Sequence, residues 1–85
     1  MHLNPDIVLR VEFDQWGILF NPDDGSTRSL NPVGVLIWQG LEKGNSLEEI
    51  MADIRETCEG VSDTLAADCK EFLQSLIDRG YLSAD

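Results

Sequence analysis

The 85-residue chain carries 16 acidic against 6 basic side chains, a formal net charge of −10 with pI near 4.2. Its 42% hydrophobic content supports one small core, but a domain of this size buries only roughly 60 to 65% of its unfolded surface and has little room for a deep active site. The single histidine, His2, sits in an N-terminal segment expected to fray, which leaves no histidine for a catalytic dyad or a metal cluster and removes most enzyme classes.

In chain order, Ile7, Leu9, Val11 and Phe13 alternate with Val8, Arg10, Glu12 and Asp14, the period of a half-buried strand. Gln15-Trp16-Gly17 interrupts the alternation before Ile18-Leu19-Phe20, so the two runs read as a hairpin with the glycine relieving the turn. Asn21-Pro22-Asp23-Asp24-Gly25 is a second turn, since proline fixes φ while Asp and Gly tolerate the reversal. A third strand, Ser26 to Leu30, is short, polar and last in the meander, and is expected at a sheet edge.

After Leu30 the period changes from two to about 3.6. Asn31-Pro32 starts a helix carrying Val33, Leu36, Ile37, Trp38 and Leu41, with Gly44 as its stop. Ser46-Leu47-Glu48-Glu49 is a capping box for a second helix with Leu47, Ile50, Met51, Ile54 and Cys58 on one stripe, ended by Gly60. Ser62 is the expected cap of a third helix, with Asp63 in its first turn, the stripe Leu65, Cys69, Phe72, Leu73 and Leu76, and Gly80 at its close. One α+β domain over residues 1–85 follows, a three-stranded antiparallel sheet leading into a three-helix bundle in a winged-helix-like order.

That order raises DNA binding, but residues 32–85 hold eleven acids against four bases, and the phosphate backbone needs the opposite balance. No apolar run approaches the roughly 20 residues of a membrane span, and the N-terminus lacks the pattern of a secretory signal, so a cytoplasmic protein that binds neither membrane nor nucleic acid is expected. Cys58 and Cys69 read as buried free thiols, and Asn21 to Gly25 lacks the alternating oxygen ligands of a calcium loop. Neither a metal nor another cofactor is implied. What remains is an interaction surface: a short edge strand beside an amphipathic helix, the arrangement that captures an extended peptide. A small dimerising module, with Trp16 in the first turn as its contact, is the alternative of another class.

Leu30-Asn31 followed by Gly34, Ile37-Trp38 and Leu41 resembles the opening of the first helix in PqqD-like proteins, and Ser46-Leu47-Glu48-Glu49-Ile50 resembles their next helix start. Asp68-Cys69, Phe72-Leu73, Leu76 and Gly80-Tyr81-Leu82 resemble the family's final helix. Pro32-Val33 departs from the usual small residues there, and Cys69 stands where valine is common. The resemblance implies a non-catalytic peptide chaperone, a recognition element for ribosomally made and modified peptides. Such a protein holds a precursor's leader and presents it to a modifying enzyme, a radical S-adenosylmethionine enzyme or, in lasso-peptide pathways, a leader peptidase. It implies that the leader adds as a strand to Ser26, Thr27, Arg28, Ser29 and Leu30 and rests against Asp68, Phe72, Ser75 and Leu76, with Phe72 and Leu76 also candidates for the core.

Overall fold

In the structure, a computed structural model that describes residues 2–57, 60 and 63–83, the chain runs β1 (His2–Leu3), β2 (Val8–Val11), β3 (Gly17–Asn21), β4 (Ser26–Leu30), α1 (Pro32–Glu42), α2 (Leu47–Thr57), α3 (Leu65–Asp78) and β5 (Leu82–Ser83). Strands β2, β3 and β4 form the expected antiparallel meander in that order, so β4 is an edge. No described helix is long and apolar enough to cross a membrane.

The first hairpin departs from its sequence pattern. Ile7 is buried and Leu9 half-buried, but Val11 is 52% and Phe13 86% exposed, because the strand stops at Val11 and residues 13–15 turn as a short 3-10 segment. Positive φ falls on Asp14 (58°) and Gln15 (68°), not on the glycine. Gly17 serves close approach instead: a Cβ there would lie 2.7 Å from Val35 Cγ2 and 2.9 Å from Leu9 Cδ1, so its bareness lets α1 settle onto the sheet. The second turn is as expected. Asn21 Oδ1 accepts from the Asp23 N–H at 3.0 Å, Asp24 Oδ1 accepts from the Ser26 N–H at 2.8 Å, and Gly25 takes φ 74°.

Local chemistry sets the helix ends. Asn31 Oδ1 accepts from the Gly34 N–H at 2.8 Å with Pro32 in the first turn, and Gly44 (φ 79°) follows the end of α1. The capping box of α2 closes reciprocally, Glu49 N–H to Ser46 Oγ at 3.2 Å and Ser46 N–H to Glu49 Oε1 at 2.9 Å, and these bonds, the backbone one foremost, lower the Glu49 carboxyl pKa. Ile50 and Ile54 of its stripe are buried, while Cys58 lies outside the described residues.

The start of α3 is corrected. Ser62 lies outside the described residues, Asp63 precedes the helix, and Thr64 holds the cap position. The Thr64 hydroxyl donates to Asp68 Oδ2 at 3.0 Å, so Asp68 rather than Asp63 is the acid of the first turn. The N-terminal segment is also corrected: His2 and Leu3 pair with Ser83 and Leu82, and the Asn4 N–H donates to the Tyr81 carbonyl at 2.9 Å. Gly80 (φ 78°) reverses the chain after α3, and burial of Tyr81 and Leu82 fixes the strand that the N-terminus joins.

The core lies between the inner sheet face and the three helices, with Trp38, Leu19, Ile50, Ile54, Leu76 and Cys69 its most enclosed members. Gly40 makes the α1–α2 contact close, since a Cβ there would lie 2.6 Å from Ile50 Cγ1. Alanine improves helix propensity by about 1 kcal/mol, whereas overpacking costs about 1 to 3 kcal/mol. Gly40→Ala is therefore expected to lower the melting temperature, and a mutant melting above wild type would show that the helices separate freely. Burial foremost, then Asp68, raises the Cys69 thiol pKa. A raised folded pKa makes this contribution complete below the unfolded thiol value of about 8.5 and lost as pH rises through the folded one. Cys69 is expected to react with Ellman's reagent only at the rate of unfolding, which stopped-flow labelling measures.

Candidate functional site

Side chains alternate along β4. Ser26 and Arg28 are half-buried and Leu30 is buried, whereas Thr27 and Ser29 are exposed. The hydrogen-bonding directions alternate with them. In the first hairpin the Glu12 N–H donates to the Trp16 carbonyl at 2.6 Å. Counting outward from that pair through the register, Arg10↔Ile18 and Val8↔Phe20 exchange bonds, which turns Gly17, Leu19 and Asn21 toward β4. Their partners Leu30, Arg28 and Ser26 therefore bond to β3, and the N–H and C=O groups of Thr27 and Ser29 point to the free edge.

On the inner side of β4, α3 supplies residues spaced along one helical face, Asp68, Phe72 and Ser75. Arg28 bridges the gap: its Nη1 donates to Ser75 Oγ at 2.7 Å, and its guanidinium carbon stands 4.9 Å from the centre of the Phe72 ring. Ser75 is held in turn by donating its hydroxyl to the Phe72 carbonyl at 2.7 Å. Burial foremost and then the charge of Arg79 lower the Arg28 pKa, with Tyr81 acting the other way; the group stays protonated at neutral pH. Ser26 shares a 3.2 Å hydrogen bond with the Tyr81 hydroxyl.

The structure thus ties Arg28 of β4 to Phe72 and Ser75 of α3, and Ser26 to Tyr81, and this seam between strand and helix is the candidate cleft. Leu30 and Leu76, at 2% and 0% exposure, are core residues beneath it, and half-buried Phe72 belongs to its wall. Asp68 is exposed at the start of the helix and engaged with Thr64. Sequence reasoning did not assign Tyr81 or Arg79 to the site; both stand just past α3, where the chain turns back to pair with β1 and the Tyr81 hydroxyl reaches Ser26. Among the described residues no three or more His, Cys, Asp or Glu side chains gather as a metal site.

The solved structure of TbiB1 in complex with the TbiA(beta) leader peptide is similar to this chain with a TM-score of 0.82 and 27% identity, covering 100% of this chain and 98% of that one. No curated protein matches the sequence at a significant level. A family model described as Coenzyme PQQ synthesis protein D (PqqD) matches residues 17–82, which take in β3, β4, all three helices and hence every element of the cleft. The chain belongs to the PqqD family.

Proposed function

We propose that this protein binds the leader segment of a ribosomally made precursor peptide by strand addition to β4 and presents the remainder to a modifying enzyme. The observation that carries the reading is the free β4 edge, with the backbone groups of Thr27 and Ser29 directed outward beside the cleft of Arg28, Phe72 and Ser75. Family membership and the leader peptide held by the similar protein TbiB1 support it. An added strand gains backbone hydrogen bonds worth roughly 0.5 to 1.5 kcal/mol each, and the cleft selects among side chains. The role is binding and positioning rather than turnover. A radical S-adenosylmethionine enzyme is the partner class this reading favours, ahead of a leader peptidase.

A second reading draws on the first hairpin, where Phe13 and Trp16 are 86% and 49% exposed in the turn between β2 and β3. Dimerisation there would bring two copies of a chain of net charge −10 together, with Asp14 of each in the turn, which repulsion opposes, although Arg10 offsets Glu12 at 3.3 Å. Titrating a synthetic leader, taken from a precursor encoded beside the gene, into nitrogen-15-labelled protein separates the readings. Amide shifts are expected along Thr27 to Leu30 and Phe72 to Ser75. Shifts confined to residues 12–16, or none at saturating peptide, would overturn strand addition at β4.

A further inference from the structure

Arg28 is the one basic side chain of the six that is not exposed. Its contacts are a hydroxyl and an aromatic face, both neutral, and no carboxylate of the described residues lies within ion-pair distance of it. In a chain with 16 acids that is a conspicuous omission, because a half-buried cation without a counter-ion is costly and a single Asp or Glu on α3 would relieve it. The charge of Arg79, of the same sign, adds to burial in lowering its pKa. Guanidinium carries five N–H donors in a rigid fork, and Ser75 engages only one of its nitrogens.

Strand addition fixes what faces this cation. A peptide strand bonding to the outward groups of Thr27 and Ser29 places the residues opposite those two on the outer face of the sheet. The residue between them sits opposite Arg28 and turns its side chain inward, onto the face shared with Arg28, Phe72 and Ser75. Resting on the function proposed above, we propose that the cleft is a carboxylate-reading subsite: the leader carries an Asp or Glu side chain at the position opposite Arg28, and Arg28, held in place by Ser75 and Phe72, selects it. Pinning by two neutral groups orients the fork without neutralising it, so the entering carboxylate meets a preorganised donor and completes the missing ion pair.

The test uses the full chain, immobilised, and a phage-displayed library of random peptides fused through their C-termini, so that no free terminal carboxylate competes with a side chain. Enriched peptides are expected to share one acidic position, and selection on Arg28→Gln is expected to lose it while Arg28→Lys keeps it. With a selected peptide made synthetically, Asp→Asn at that position should weaken binding roughly 10- to 100-fold to wild type and have little effect with Arg28→Gln. Enriched peptides without a shared acid would overturn the subsite and leave peptide binding standing. An Asp→Asn loss of equal size in wild type and Arg28→Gln would overturn Arg28 as its reader. Failure to enrich any peptide would overturn the proposed function and the subsite with it. If Arg28→Gln proves unstable in a thermal melt, Arg28→Met, which keeps an unbranched side chain without the charge, takes its place in the same comparison.

Discussion

Trp38→Ala is expected to be the most damaging single substitution in this chain. The indole is 1% exposed in the middle of α1, at the centre of the core that joins sheet and helices. Truncating a buried Trp to Ala costs about 3 to 5 kcal/mol, while the total stability of a domain is about 5 to 15 kcal/mol, with the low end apt for this length. At about 4 to 8 °C per kcal/mol for a domain this small, the melting temperature should fall by roughly 12 to 40 °C. Trp38→Phe offers a sharper measurement. The buried Nε1 has no hydrogen-bond partner among the described residues, and an unsatisfied buried donor costs about 1 to 3 kcal/mol that phenylalanine does not incur. Phenylalanine should therefore lose well under half of what alanine loses. Equal losses for the two would mean that the indole N–H is satisfied in solution, and an alanine mutant melting within a few degrees of wild type would mean that Trp38 is not central to the core.

What could be read from the sequence was what is local. Asn31-Pro32 and Ser46 to Glu49 announce their helices because the caps are made by side chains within three residues of the amides they satisfy. The strand Ser26 to Leu30 is bounded by a turn and a cap, so its limits were legible too. Two residues carry no period, which is why the pairing of β1 with β5 left no trace in the pattern; it depends on Gly80 turning the far end of the chain back to the start. The αL residues Asp14 and Gln15 escaped notice because a glycine stood nearby to claim the turn, while Gly17 answers instead to Val35 of α1. The cleft shows the same division. Its strand and helix were legible separately, but the Arg28–Ser75 bond joins residues 47 apart and follows only from how α3 lies beside β4.

That geometry now fixes the outcome of proline substitutions along β4, which the sequence left open. Proline removes an N–H and places a ring where it was, so its effect depends on which way the N–H points. At Arg28 the N–H is directed to Leu19 on β3. Arg28→Pro should strand the Leu19 carbonyl, itself part of a residue at 0% exposure, at a cost of about 1 to 3 kcal/mol, and add the loss of the contacts to Ser75 and Phe72. A marked fall in melting temperature is expected. At Thr27 and Ser29 the N–H points away from the sheet, and the preceding residues, Ser26 and Arg28, already lie in the extended strand that proline asks of its neighbour. Thr27→Pro and Ser29→Pro should melt close to wild type. Their effect falls on the incoming peptide, which loses one backbone bond and meets the pyrrolidine ring at the pairing distance, so that leader affinity should drop roughly tenfold or more. Calorimetry with the leader, paired with a melt of each variant, reads both quantities. Were Thr27→Pro and Ser29→Pro both to bind as wild type does, the leader would be docking away from β4. Were they to unfold while Arg28→Pro stayed intact, the strand would be turned over, with the opposite set of backbone groups facing the free edge.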